Sequence, residues 1–475
     1  MSLDHVAGLS DLILDPDDLV AVFALTSGRH GRWTEVFAER TATSTVRLSA
    51  GMVSEIRTDL DLGASVRASS ALRDGFAYTN VLNRGSLLAA AEAAVVAAGG
   101  DPAAGNIAAD LRRHRVVPVQ SARLRPADVA TVAKVEVLRR IDEAARSLSG
   151  DVRDVTATHV DVTQSVLIAT SDGDVVSDER VRTRLTCRVT ARRDGRLRTG
   201  FDGPGIGGGL ELYDAEEPEA IGTRAAERAL RALDGIEPPR GPMPVVLAPS
   251  GGGLLLHEAC GHGLEAEGLA RGSSIYTRSV GQQVASPLVT AVDDPSVVGG
   301  FGSYAVDDEG YPSARTVLVE GGVQTGALTT RTDQFPAGGR RSANGRRESY
   351  AHPPLTRMSN TFILPGSEPA DGLVSSLRRG VYVVRLSGGD VDVTTGEFAF
   401  SASEAFLVDQ GEVVAPLLSL TLLGNGPAAL RSVEAVGDDL EFTQAVCGKG
   451  DQWVPVSYGS PTLLVSGLSV GGSGG

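Results

Sequence analysis

Cysteine, aromatic residues and positive charge are all scarce in this chain of 475 residues. Three cysteines (Cys187, Cys260 and Cys447) are too few and too scattered for a disulfide framework, so the chain reads as one made for a reducing compartment. Basic residues number 44 against 59 acidic ones, a net charge of −15. That balance argues against a non-specific nucleic-acid binder, which needs a basic surface against phosphate. No apolar run approaches the roughly 18 residues of a membrane-crossing helix. The opening residues Met1, Ser2, Leu3, Asp4 and His5 lack the basic and apolar segments of a signal peptide. The expectation is a cytoplasmic protein that binds neither nucleic acid nor membrane. Aromatic residues are only 4% while glycines number 58, which favours many turns and short strands over a helical bundle.

The pattern predicts an α+β fold. In residues 1–234, groups of strands alternate with helices. Asp15 and Pro16 form a helix start, with Leu19, Val22 and Phe23 on one face. Trp33 to Thr79 reads as strands with a hairpin turn at Asp74-Gly75, followed by a helix over Leu87–Ala98. Pro126 introduces a helix carrying Val135, Leu138, Ile141, Ala145 and Leu148 at helical spacing. A second group of strands turns at Ser171–Asp174 and at Asp194-Gly195, and a helix over Pro218–Leu233 closes this half. Strands followed by a helix thus occur twice, a hint of internal duplication. Between Val181 and Arg192 apolar residues alternate with Arg182, Arg184, Arg188 and Arg192. The stretch 235–244 holds four prolines and reads as a linker resisting helix and sheet alike. Residues 245–470 read as a mostly β domain with one helix near Leu254, and 471–475 as a flexible tail.

Chemistry concentrates in His257-Glu258-Ala259-Cys260-Gly261-His262-Gly263-Leu264-Glu265. This is H-E-x-x-x-H, one residue longer than the H-E-x-x-H zinc motif. On a regular α-helix, positions i and i+4 lie about 40° apart, but i and i+5 about 140°, too far to share one ion. A π-turn would return both imidazoles to one face, and Gly261 would ease the distortion. The bland alternative is two histidines on a helix flank with Glu258 in solvent. Leu254–Leu256 place the motif in buried surroundings, where unpaired polar groups are costly and a metal relieves the cost. A catalytic zinc needs a third protein ligand and an open position. Cys447, in a Gly-rich turn, and Glu265 both qualify. Cys187 sits on the apolar face of an alternating strand and reads as core, and Cys260 as a small buried thiol.

In order along the chain, the His257–Glu265 segment, Val306–Gly310, Asn344–Tyr350, Pro353–Thr361, the Thr395–Phe398 turn and Cys447-Gly448-Lys449 resemble the TldD/PmbA metalloproteases, once called modulators of DNA gyrase. The resemblance is strongest over about 245–465. It implies that His257, His262 and Cys447 bind zinc and that Glu258 is the catalytic base. It also implies pairing with a PmbA-like (TldE-like) subunit that lacks these residues, and action on unfolded peptides or leader peptides. Two features depart from the family: Cys260, where an apolar residue is usual, and the segment Gly450–Pro461.

Arg340, Arg341, Arg346 and Arg347 cluster near Tyr350 and His352. They read either as a solvated basic loop or as a clamp for substrate carbonyl or carboxylate groups, with Tyr350 or His352 steadying the oxyanion. The Asp307-Asp308 pair reads as a turn or strand-end feature. Beside peptide cleavage stand two other functions: amide hydrolysis on a small natural-product intermediate, and a non-catalytic scaffold. Retention of all four zinc-site residues speaks against the scaffold.

Overall fold

In the computed structural model, residues 12, 14–27, 33–70, 73–100, 110–119, 122–333 and 341–472 are described. The architecture is α+β. The first half is built on one eight-stranded sheet, ordered Asp74–Thr79, Met52–Ser69, Trp33–Ser49, Val152–Thr170, Asp174–Arg193, Arg112–His114, with Arg196–Asp202 and Gly205–Ile206 also paired to Asp174–Arg193. Most neighbours are antiparallel hairpin partners, so register follows from tight turns and alternating burial.

Of the three helix starts marked by proline, Pro16 and Pro218 lie where the sequence places them, whereas Pro126 opens a short 3-10 turn, Pro126–Asp128, and the helix begins after it at Thr131. Asp15 caps Pro16–Thr26 by accepting a hydrogen bond from the Asp17 amide, and the later helix spans Pro218–Leu233. The Asp74-Gly75 turn is a correction: both residues lie inside the Asp74–Thr79 strand. The glycine is there for close approach. A Cβ on Gly75 would sit 1.9 Å from the Ala94 carbonyl oxygen of the Arg84–Ala97 helix. Gly200, in the matching short strand of the second strand group, would meet the Ala225 oxygen of the Pro218–Leu233 helix at 2.1 Å. The two strand–helix units therefore share one packing device, which gives the duplicated pattern physical content.

Helices cover one face of this sheet, burying Val36, Ala38, Val46, Leu138, Ile141 and Ala225. The second half of the chain covers the other face, and here the junction is ionic. The guanidinium of Arg67 pairs with Glu309 and Arg347 pairs with Glu35, while Arg180 Nη1 lies 2.7 Å from Asp308 Oδ1. Phe37, Val166, Ile168, Val306 and Tyr350 form a small apolar cluster beside them. Paired this way, charges that would be prohibitive alone are tolerated inside the protein.

The second half contains a six-stranded sheet and a seven-stranded one. In the latter, Arg379–Val391 pairs both with Gly241–Leu247 and with Glu397–Asp409, so the sheet closes on itself. The Pro-rich linker needs correction, because Gly241–Leu247 is a strand of this sheet. Its prolines are tolerated because the neighbour Arg379–Val391 bonds only Val245–Leu247, leaving the Pro242 and Pro244 end unpaired on that side. Gly471 and Gly472, expected in a flexible tail, end the last strand, Leu463–Gly472. The rest of that tail, 473–475, lies outside the described residues.

Candidate metal centre

The site begins on the buried helix Pro249–Leu256. It lies tight against the strand Gln452–Ser460; a Cβ on Gly253 would approach the Tyr458 ring to 2.8 Å. At His257 the backbone widens into a π-turn over His257–Gly261, the distortion that the five-residue histidine spacing requires. The imidazoles meet edge to face with ring centroids 5.1 Å apart. Gly261 has ordinary helical angles, φ −55° and ψ −53°, so its conformational freedom is not used. Its contribution is room: a Cβ there would lie 2.1 Å from Met358 Sδ, in a fully buried side chain.

The third donor comes from the neighbouring sheet. Cys447 is not in a turn, as its glycines suggested, but in the strand Glu441–Lys449, opposite Val454. The turn follows it at Gly450-Asp451, both left-handed (φ +57° and +58°), as a two-residue hairpin loop demands. Gly448 keeps its place in the strand because the Trp453 ring occupies the space of a side chain.

Cys447 Sγ lies 3.3 Å from His257 Nε2 and 3.3 Å from His262 Nε2. All three donor atoms fall within 4.8 Å of one another. A tetrahedral zinc with bonds of about 2.1 Å to nitrogen and 2.3 Å to sulfur would hold N and S roughly 3.6 Å apart, close to this spacing. Burial alone would raise the Cys447 thiol, but the two imidazoles outweigh it and bring it down to about 4, so the sulfur is the thiolate that metal binding needs. The donor set therefore fits zinc with one position left for water or substrate.

Glu265, the other candidate third ligand, stands behind His262. Its Oε1 is 3.2 Å from His262 Nδ1, and its Oε2 accepts from Lys449 Nζ at 2.6 Å. Burial would raise this carboxyl, but His262 and Lys449 dominate and hold it at about 2. A carboxylate on the far nitrogen of a ligating histidine sets tautomer and orientation. His257 Nδ1, by contrast, is buried with no hydrogen-bond partner among the described residues. Glu258 points the other way, into the cleft, with Oε2 3.9 Å from His262 Nε2 and its side chain 24% exposed. Cys260 faces the core beside Tyr276, and burial pushes its thiol up to about 12. Cys187 lies in the N-terminal core.

The cleft, about 810 Å³, has an apolar side of Leu254, Leu386, Val446, Trp453, Val456 and Tyr458. A polar end adjoins it, with Glu267, Arg271, Asp390 and Lys449. The divergent Gly450–Pro461 segment thus supplies several cleft residues. Tyr458, whose ring lies 6.0 Å from His257, carried no signal of its own in the sequence.

The expected substrate clamp is not assembled. Arg346 is buried and donates to the Met358 and Pro455 carbonyls. Arg347 is buried against Glu35, the Asp308 carbonyl and the Phe37 ring. Tyr350 donates its hydroxyl to Asp61 Oδ1 at 3.0 Å, and His352 Nδ1 pairs with Ser349 Oγ. None of the four lines the cleft. Arg347 and Tyr350 tie the two halves together instead, at carboxylates of the N-terminal sheet, while Arg346 and His352 bond within the second half. Arg341 joins Glu309, Arg340 lies outside the described residues, and Asp307 and Asp308 are turn and ion-pair residues.

Comparison with known proteins gives a consistent picture. Residues 34–98, 124–233 and 240–472 match, respectively, domain 1, the central domain and the C-terminal domain of the PmbA/TldA metallopeptidases. The chain is 35% identical to a metalloprotease TldD homolog of Haemophilus influenzae, over 98% of this chain and 99% of that one. It is 33% identical to a metalloprotease of Methanothermobacter thermautotrophicus, covering 98% of each. Among solved structures, a Thermotoga maritima protein described as a modulator of DNA gyrase superposes with a TM-score of 0.79 at 22% identity, covering 96% of this chain and 99% of that one. TldE from Thermococcus kodakarensis gives 0.77 at 19%, covering 96% and 100%. At such identities the likeness is one of fold.

Proposed function

The chain belongs to the PmbA/TldD metallopeptidase family, and from that premise we propose that it is a zinc peptidase of H-E-x-x-x-H type, cutting unfolded peptides or trimming a precursor peptide. The observation that carries this reading is the convergence of His257, His262 and Cys447 on one point at the cleft that Glu258 lines. Zinc bound there would supply Lewis acidity to a water and to the scissile carbonyl. Glu258 takes the proton of the attacking water and hands it to the leaving amine. Glu265 and Lys449 hold His262 in place from behind. The apolar side of the cleft takes substrate side chains, and a narrow groove favours chains that can extend.

No helix among the described residues is long and apolar enough to cross a membrane, and a thiolate ligand suits a reducing compartment such as the cytoplasm. We place the subunit beside a PmbA/TldE-like partner without zinc ligands, which walls the cleft and keeps folded proteins out. Activity on an unfolded peptide should rise when such a partner is co-expressed. The experiment that tests the chemistry is Glu258→Gln. Zinc content should stay at about one per chain while peptide turnover falls at least ~10²-fold, the scale of general-base loss. Near-normal turnover would assign the base to another residue.

A further inference from the structure

The strand Asp174–Arg193 sets a row of arginines, Arg180, Arg182 and Arg184, on the face turned to the second half of the chain. The first two are satisfied there, Arg180 by Asp308 and Arg182 by the Phe301 carbonyl. Arg184 is half-buried and has neither a hydrogen bond nor a carboxylate partner among the described residues, and its Nε is enclosed. It stands beside the strand that carries Cys447: a Cβ on Gly205 would lie 3.4 Å from Arg184 Cγ and 3.0 Å from Gln444 Cγ. Arg385 approaches from the closed sheet. Its Nη2 is 3.5 Å from Asp202, an aspartate already held by Arg224 and Arg228, and its Nε is enclosed without a partner. Its side chain keeps 24% exposure, so solvent reaches this cation too. Both guanidiniums act on one hydroxyl, that of Tyr458: burial raises it, and Arg385 and Arg184 oppose the rise. Tyr458 in turn joins these cations to the metal centre. Its ring lies against Gly253, 6.0 Å from the His257 ring, and its hydroxyl hydrogen-bonds Ser250. Ser250 and His257, seven residues apart on one helix, share a face with about 10 Å between them.

We propose that Arg184 and Arg385 form a subsite for a carboxylate of the peptide substrate, at the end of the cleft that the Tyr458 ring lines and about three residues of extended chain from the metal centre. The assignment rests on the peptidase reading of that centre. A half-buried cation without an anion costs stability. No described residue supplies the anion for Arg184, so it comes from outside the chain. A carboxylate suits the place because a guanidinium binds both of its oxygens as a fork, and the Tyr458 hydroxyl stands ready as a further donor. A neutral or cationic group would gain nothing from two guanidiniums. The end of a peptide and an acidic side chain offer the same group, and the assay separates them.

The test reads peptide binding, by fluorescence anisotropy, on the full zinc-loaded Glu258→Gln chain, which holds a peptide without cutting it. The probes are short alanine-rich peptides labelled at the N-terminus. One set is amidated and carries a single Glu or Gln moved along the sequence; the other has no Glu and ends in a free carboxylate or an amide. A charged probe should bind about 10-fold or more tightly than its neutral counterpart. A Glu probe does so if the subsite takes a side chain, a free-acid probe if it takes a chain end. Arg184→Met should erase the preference while the neutral probe's affinity, the zinc content and the Tm stay as they were, since the cation removed has no partner in the chain. Arg184→Lys, which keeps the charge but not the fork, should retain part of it. The proposal is overturned by the lack of any carboxylate preference, or by a preference that survives Arg184→Met. It is overturned equally by an Arg184→Met chain that loses all probes alike or melts early. The peptidase reading fails separately: a carboxylate preference with no cleavage by the wild type keeps the subsite and removes the reaction, and cleavage without the preference does the reverse.

Discussion

Replacing a thiol by a hydroxyl at two buried positions should separate metal binding from packing. Cys187 lies in the apolar cluster with Ala157, Leu185 and Val189, and burial pushes its thiol up to about 12. Cys187→Ser sets a hydroxyl among apolar neighbours at a cost of about 1–3 kcal/mol. In a domain of a few hundred residues that is a fall in Tm of several degrees, with zinc unchanged. Cys447 is equally buried, but its sulfur touches two imidazole nitrogens and is held as thiolate. Cys447→Ser offers a hydroxyl that keeps its proton. Zinc affinity should fall by more than the ~10–100-fold seen when only an outer partner is lost, while the metal-free protein melts almost as before. Elemental analysis after gel filtration against a competing chelator gives the metal content, and thermal melts of the metal-free proteins give the stability. Equal zinc in the two variants, or a Cys447→Ser protein that melts early yet holds its metal, would remove Cys447 from the site.

Gly261→Ala should reduce stability by about 1–3 kcal/mol through overpacking against Met358 and weaken zinc binding with it; chemical denaturation and zinc titration together would show whether the two move as a pair. His159 is fully buried, and burial, aided by Lys134, lowers it to about 3. The unfolded chain takes up a proton below about pH 6.5 that the folded chain refuses until near pH 3, so this residue removes about 1.4 kcal/mol of stability per pH unit as pH falls between them. His159→Leu should flatten that slope, and urea midpoints at pH 6.5 and 5 that shift as in the wild type would contradict it. Arg347→Ala leaves buried Glu35 with only the longer Arg67 contact at 3.7 Å and should cost up to about 3–5 kcal/mol, with KM unchanged in the folded fraction; a raised KM at unchanged stability would return Arg347 to the substrate.

What was legible in the sequence was local. Asp15 and Pro16, or Pro218, start helices by satisfying amides a few residues away, and no distant contact is needed to see it. The π-turn was legible for the same reason, since two imidazoles five residues apart share a face only if the helix widens. The arginines were misread because their partners are remote. Arg182 alternates with apolar residues with nothing local to show what it meets, yet it is buried and donates to the Phe301 carbonyl, more than a hundred positions away. Arg346 and Arg347 err in the same way. Gly75 and Gly448 show a second ambiguity: glycine marks a turn or a place where something else fills the Cβ position, and only the neighbours decide.

The order in which the closed sheet is assembled carries a biological consequence. Its last strand, Leu463–Gly472, pairs with its first, Gly241–Leu247, and the thiolate follows His257 by 190 residues. A polypeptide still emerging from the ribosome can therefore display two imidazoles and the glutamate for about two-fifths of its synthesis without Cys447 as third donor. On the proposed function, nascent and prematurely terminated products would lack a complete metal site, which Cys447 closes only in the final tenth of translation.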